Sequence, residues 1–157
     1  MRILILYDSL YGNTEKIALA IGDTTKLEHQ TNIIKVDHNT TVDLQEVDLL
    51  ILGSPTHGGR YTEPVKKFID KLPKNVFVNL KVATFDTSFP TTNMGFFLNN
   101  VAKIFGNAAP RIAKSLAKKG LTIIDSNIFY VLGKEGPLQE GEIERAKKWT
   151  DELLKKI

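Results

Sequence analysis

The chain has 157 residues, of which 42% are hydrophobic and 25% charged, with a formal net charge of +3. This size and composition predict a single domain over residues 1–157 with a substantial buried core. Because there is no cysteine, disulfides, zinc–thiolate sites, iron–sulfur clusters and a catalytic thiol are excluded, and any redox chemistry must come from a bound cofactor. The short first apolar run and the scattered basic residues predict a cytoplasmic protein that binds neither membranes nor nucleic acid.

The first half of the chain alternates between apolar strands and amphipathic helices. A continuous apolar run predicts a strand over residues 3–8, and residues 17–24 then show helical spacing. Two further strands are predicted over residues 33–36 and 47–52. Pro64 suits the first turn of a following helix. The apolar residues of that helix fall at i, i+3, i+4 and i+7: Val65, Phe68, Ile69 and Leu72.

The second half continues the same alternation. A fourth strand is predicted over residues 81–85, followed by an apolar helical stripe over residues 112–117 that stops at Gly120. A fifth strand is predicted over residues 121–132, bent near Asp125, and a last helix runs from about residue 141 to residue 156. Strands that alternate with helices indicate an α/β fold with a parallel sheet covered on both faces.

A ligand in such a sheet binds outside the carboxyl ends of the strands, where the strand order reverses. For the five-strand order 2-1-3-4-5, that point lies between strands one and three. The loops after strands one, three and four therefore line the expected site. They span residues 9–14, 53–63 and 85–97.

The loop Ser9-Leu10-Tyr11-Gly12-Asn13-Thr14 joins a predicted strand to a predicted helix. The first helical turn has unpaired backbone N–H groups and partial positive charge, which favours a phosphate. Ser9, Asn13 and Thr14 add side-chain donors, and Gly12 permits positive φ. The loop lacks the lysine of a P-loop and the dinucleotide fingerprint G-x-G-x-x-G. The alternative is an ordinary strand-to-helix turn with Asn13 or Thr14 as the N-cap.

Taken with this loop, the whole chain resembles a flavodoxin of the short type. The resemblance implies a three-layer sandwich around a five-stranded parallel sheet of order 2-1-3-4-5, with FMN as cofactor. The segment from Ser9 to Thr14 is similar to the family's FMN phosphate loop. Asp8 replaces the small residue usual there and is more similar to the flavodoxin-like domains of flavodiiron proteins.

Two more segments carry the resemblance to the flavin site. In Pro55-Thr56-His57-Gly58-Gly59, His57 falls where a flat side chain covers one face of the flavin ring, and Gly58 falls beside flavin N5. Thr56 is implied to face the ribityl chain or the ring. The segment Asp86-Thr87-Ser88-Phe89 resembles the one whose backbone N–H groups bind the pyrimidine edge, with Phe89 in the position of a stacking aromatic. Thr84 and Phe85, directly before it, are also expected to contact the cofactor. The alternatives are a solvated loop histidine and a phenylalanine buried in the core.

The resemblance implies an FMN electron carrier that cycles its flavin through one-electron states and docks to redox partner proteins, as a monomer or homodimer. An FMN-dependent NAD(P)H:quinone reductase of the same fold is the alternative. A phospho-receiver module is disfavoured, because it needs an acceptor aspartate where this chain has Gly53-Ser54. Arg60 stands where acidic flavodoxins carry carboxylates, which predicts a less negative potential for the second one-electron step.

An apolar stretch follows the third loop, formed by Met94-Gly95-Phe96-Phe97-Leu98 together with Val101, Ile104 and Phe105. It is longer than the corresponding part of a typical short flavodoxin. An apolar insertion beside a site is typical of a lid, a docking patch or a subunit interface. The alternative is that it folds back as local core.

Overall fold

The computed structural model describes residues 1–77, 79–90 and 106–157. The predicted insertion over residues 94–105 lies outside the described residues. The strands are β1 (Arg2–Tyr7), β2 (Gln30–Lys35), β3 (Leu49–Pro55), β4 (Lys81–Ser88) and β5 (Thr122–Tyr130). The helices of the described ranges are α1 (Asn13–Thr25), α2 (Glu63–Lys71), α3 (Ala108–Ala117) and α4 (Glu142–Leu154).

The five strands form one parallel sheet of order β2-β1-β3-β4-β5. This confirms the predicted strand order and α/β class. β3 is the central strand and is flanked by β1 and β4. Leu6 of β1 and Leu52 of β3 are paired and fully buried. The order therefore reverses between β1 and β3, where a ligand cleft is expected.

Alternate side chains along the strands point to opposite faces of the sheet and form two separate cores. On one face, Leu4 and Leu50 pack with apolar residues of α2 and α3. On the other face, Ile5 and Ile51 pack with apolar residues of α1 and α4. The sheet is therefore the middle layer of a three-layer sandwich, with two described helices on each side.

Three strands, β2, β3 and β4, extend three residues beyond one of their predicted bounds. β2 begins at Gln30 because backbone pairing with β1 includes its polar first half, which lies at the exposed edge of the sheet. β3 and β4 continue together through the pairs Ser54 with Asp86 and Pro55 with Thr87. The beginnings of the predicted second and third loops are therefore strand, which fixes their backbone on the sheet.

Across the described ranges, no helix is long and apolar enough to cross a bilayer.

Candidate functional site

A cleft of about 340 Å³ lies at the carboxyl ends of β1, β3 and β4. Its volume is in the range of small-molecule and cofactor sites. Residues from all three predicted loops line it: Leu10, Tyr11, Asn13, Thr14, Pro55, Thr56, His57, Gly58, Gly59, Thr87 and Phe89. The sheet topology thus brings together most of the residues that the sequence pattern singled out.

The first loop leaves the start of α1 open. Gly12 is the N-cap, with φ of +83°, and no side chain of the described residues caps the helix. The alternative with Asn13 or Thr14 as the N-cap is therefore wrong. Ser9 is 5% exposed, and its hydroxyl has no hydrogen-bond partner among the described residues. Such a helix start offers backbone N–H groups to an anion.

Two side chains of this loop tie it to other parts of the fold. Asn13 Nδ2 donates a hydrogen bond to the backbone oxygen of Glu135 over 3.0 Å. The hydroxyls of Thr14 and Thr87 are 2.8 Å apart and share a hydrogen bond. The loop after β1 is therefore braced against both β4 and the segment that precedes α4.

The second loop forms a tight turn at the cleft. His57 and Arg60 exchange two backbone hydrogen bonds of 2.9 and 3.1 Å. Between them, Gly58 and Gly59 have φ of 57° and 75°, as a type I′ turn requires. A Cβ on Gly58 would have no neighbour within 4 Å, so glycine is favoured there by the backbone conformation and not by lack of space.

The side chains of Thr56 and Asp86 hold the start of α3. Thr56 Oγ1 accepts the N–H of Ala108 over 2.9 Å, and Asp86 Oδ2 accepts the N–H of Ala109 over 2.8 Å. Burial raises the pKa of Asp86 to about 6, although the N–H of Ala109 and the nearby Thr56 and Ser88 hydroxyls act in the opposite direction. The remaining oxygen, Oδ1, has no direct hydrogen-bond partner among the described residues.

Five predicted site residues are not among those that line the cleft. Ser9 and Gly12 lie in the first loop, and the other three, Thr84, Phe85 and Asp86, lie in β4. Thr84 is fully buried and donates to the backbone oxygen of Ala109 or to Ser126 Oγ. The Phe85 ring is fully buried, and a Cβ on Gly53 would come within 2.1 Å of it. Asp86 is directed to α3. Because β4 continues to Ser88, these three residues lie inside the sheet and not in a loop beside it.

The two predicted ring-contacting residues reach the cleft from different loops. Phe89 follows β4 and is 39% exposed, so the alternative of a core phenylalanine is wrong. His57 is exposed and also lines the cleft. The cleft thus has an aromatic or flat side chain from each of two loops and hydroxyls between them.

Four cleft residues lie outside every predicted site segment: Gly106, Asn107, Val131 and Lys134. A fifth, Ser88, lies within the third segment but was not itself predicted as a contact. Ser88 directly follows a predicted site residue, and Asn107 is the N-cap of α3. Val131 and Lys134 belong to a hairpin after β5; the predicted strand over residues 121–132 included Val131 but not Lys134. The one sequence signal for the hairpin is the pair of glycines, Gly133 and Gly136, around Lys134. In the described part of the chain, no cluster of acidic and histidine side chains fits a metal ion.

Comparison with known proteins bears on the identity of this cleft. Residues 4–122 match a family model described as a flavodoxin domain. The uncharacterized protein MJ0298 of Methanocaldococcus jannaschii is 30% identical over 157 residues, which cover 99% of each chain. A flavodoxin of Clostridium saccharobutylicum is 26% identical over 167 aligned positions, covering 100% of this chain and 98% of the relative.

Solved structures show the same fold. Oxidised flavodoxin 2 from Bacillus cereus superimposes with a TM-score of 0.73 at 25% identity, covering 100% of both chains. Rubredoxin oxygen:oxidoreductase from Desulfovibrio gigas, a flavodiiron protein, gives a TM-score of 0.63 at 16% identity. That match covers 99% of this chain and 36% of the larger protein, so this part of that protein has the same fold.

Proposed function

Because this chain belongs to the flavodoxin family, we propose that it is an FMN-binding electron carrier. The observation that carries the proposal is the open start of α1. Its first residues, Asn13 and Thr14, line the cleft, its N-cap is Gly12, and the nearby Ser9 hydroxyl has no partner among the described residues. FMN ends in a phosphate, and an uncapped helix start with hydroxyl donors is suited to bind one. We also propose that residues 1–157 form one domain, located in the cytoplasm.

The phosphate end and the ring end of FMN have separate sets of residues in this proposal. The first turn of α1 with Ser9 and Thr14 binds the phosphate. His57 and Phe89 flank the ring from the loops after β3 and β4. FMN supplies the one-electron redox chemistry, while the protein binds it and sets its potentials.

The peptide bond between Gly58 and Gly59 is suited to change its orientation when a bound flavin is reduced. In the structure both glycines have positive φ, and reversing the peptide between them moves Gly59 to negative φ. With a flavin bound beside this turn, the reversed peptide would offer the Gly58 carbonyl to it as a hydrogen-bond acceptor. A side chain at Gly58 would add a positive-φ cost to both forms of the turn, and one at Gly59 would disfavour the form seen here.

The test is the visible spectrum of the purified protein, since bound FMN is yellow and its stepwise photoreduction shows each one-electron state. Reconstitution of the apoprotein with FMN should restore that spectrum. Adding NAD(P)H and a quinone then separates a carrier, which does not turn over, from a quinone reductase, which does. A protein that binds no FMN would contradict the proposal.

Arg60 leads to a prediction about the potential. It is exposed and follows Gly59, which lines the cleft, so its positive charge would favour the addition of an electron to a flavin bound there. We expect Arg60→Glu to lower the midpoint potential of the second one-electron step by about 20–80 mV at low ionic strength, from about 0.2–1 kcal/mol for each unit of charge. FMN should stay bound, and redox titration measures the shift.

Arg60→Gln is the matched control, because it changes the charge by one unit and should give about half of that shift. High salt should reduce both shifts through screening. No shift in Arg60→Glu at low ionic strength would mean that the guanidinium lies too far from the ring. The same positive charge favours redox partners with acidic docking surfaces.

A further inference from the structure

Lys134 lies at the tip of a hairpin between β5 and α4. Val131 and Leu138 form an antiparallel bridge, and the N–H of Leu132 donates to the oxygen of Pro137 over 2.9 Å. A further bond of 3.0 Å, from the N–H of Gly136 to the oxygen of Gly133, closes the turn around Lys134. The backbone of Lys134 is therefore held in a defined turn.

The hairpin is fixed against the first turn of α1. Asn13 Nδ2 donates to the oxygen of Glu135, which directly follows Lys134. Gly136, with φ of +106°, lies so close that a Cβ there would be 2.6 Å from Asn13 Oδ1. These contacts bring the exposed Lys134 to the cleft beside the loop that includes Asn13 and Thr14.

The loop after β1 supplies no positively charged side chain to an anion bound at the start of α1. Residues 9–14 contain no lysine or arginine. Asp8 directly precedes them, is 6% exposed, and accepts the N–H of Ser9 through Oδ1 over 2.7 Å. A phosphate monoester carries about −1.5 to −2 charge at pH 7. Lys134 is the one residue with a formal positive charge among the described residues that line the cleft.

We propose that Lys134 pairs with the phosphate of the bound flavin nucleotide and makes the cleft select FMN over riboflavin. Asn13 acts as a positioning residue, because it holds the turn through the Glu135 oxygen. This inference rests on the proposed function and assigns part of its phosphate recognition to a residue 120 positions away from the phosphate loop, counting from Thr14 to Lys134.

The experiment compares FMN and riboflavin affinities of the apoprotein and its Lys134→Gln variant, measured by quenching of flavin fluorescence. At low ionic strength we expect FMN to bind about three- to tenfold more weakly to the variant, with riboflavin unchanged. The FMN difference should shrink at about 0.5 M salt. Lys134→Arg should retain most of the affinity. The matched control is Lys118→Gln, at the carboxyl end of α3, because the amino end of that helix is the one at the cleft.

Combining Lys134→Gln with Asn13→Ala tests the positioning role. If Asn13 places Lys134, the loss caused by Lys134→Gln should be smaller in the Asn13→Ala background. Independent, additive losses would overturn the positioning role. Equal losses for FMN and riboflavin, or no loss at low salt, would overturn the pairing of Lys134 with phosphate while leaving FMN binding itself intact. Failure of the unaltered protein to bind FMN would instead overturn the proposed function.

Discussion

As the pH rises from about 3.5 to 7, the free energy of unfolding of the wild-type protein is expected to fall by about 3 kcal/mol relative to that of the Asp86→Asn variant. Asp86 is fully buried, and burial raises its pKa from 3.8 to about 6. The folded protein therefore binds this proton more tightly than the unfolded chain does. The stabilising contribution of protonated Asp86 is complete below about pH 4. It is lost as the pH rises to about 6, at about 1.4 kcal/mol for each pH unit.

Asp86→Asn keeps an oxygen for the N–H of Ala109 but removes the titrating group. Urea unfolding of both proteins at pH values between about 3.5 and 7.5 gives the difference directly, since other groups titrate in both. Asp151→Asn, an exposed substitution on α4, controls for the change in net charge. A difference between wild type and Asp86→Asn that stays constant over this range would show that burial does not raise this pKa.

The architecture followed from the sequence where burial imposes a pattern. β1 and β3 are buried on both faces, so their apolar residues run without interruption and reveal the strands. β2 lies at the sheet edge, and its first half, from Gln30 to Asn32, is polar. Pairing with β1 through the backbone makes that half a strand, and backbone pairing leaves no mark in the residue types.

The strand ends at the site were harder to predict for the same reason. Ser54 and Asp86 look like loop residues, yet they pair across β3 and β4. This placement turns the carboxylate of Asp86 toward α3 and buries the ring of Phe85 over Gly53. The predicted ends of β3 and β4 were three residues too early. Residue types alone do not show on which face of the sheet the side chains beyond such a predicted end lie.

The site residues that the sequence identified lie in short segments that each carry a local pattern, whereas Lys134 lies in none of them. The loop from Ser9 to Thr14 carries its own pattern of glycine, hydroxyls and a helix start. Lys134 reaches the cleft through a contact between Asn13 and Glu135, which are 122 positions apart. Such a contact depends on the complete fold, because both partners are ordinary polar residues in their local context.

Thr14→Ala is expected to weaken FMN binding by about 1.5–3 kcal/mol, the range for hydrogen bonds to charged groups. Thr14 is 1% exposed in the first turn of α1, and its hydroxyl is 2.8 Å from that of Thr87. When Thr87 donates to Thr14, the Thr14 proton is free for the phosphate. Riboflavin lacks the phosphate, so its weaker binding should change little. Titration of the apoprotein with each flavin measures both affinities.

Two further variants separate phosphate binding from bracing of the loop. Thr14→Ser keeps the hydroxyl and should retain most of the FMN affinity. Thr87→Ala removes the other member of the pair and leaves the Thr14 hydroxyl in place, so it should cost less FMN affinity than Thr14→Ala. If Thr14→Ala and Thr87→Ala instead weaken FMN and riboflavin equally, the two threonines only hold β4 against α1. The phosphate would then depend on the backbone N–H groups, Ser9 and Lys134, since these do not require the Thr14 hydroxyl.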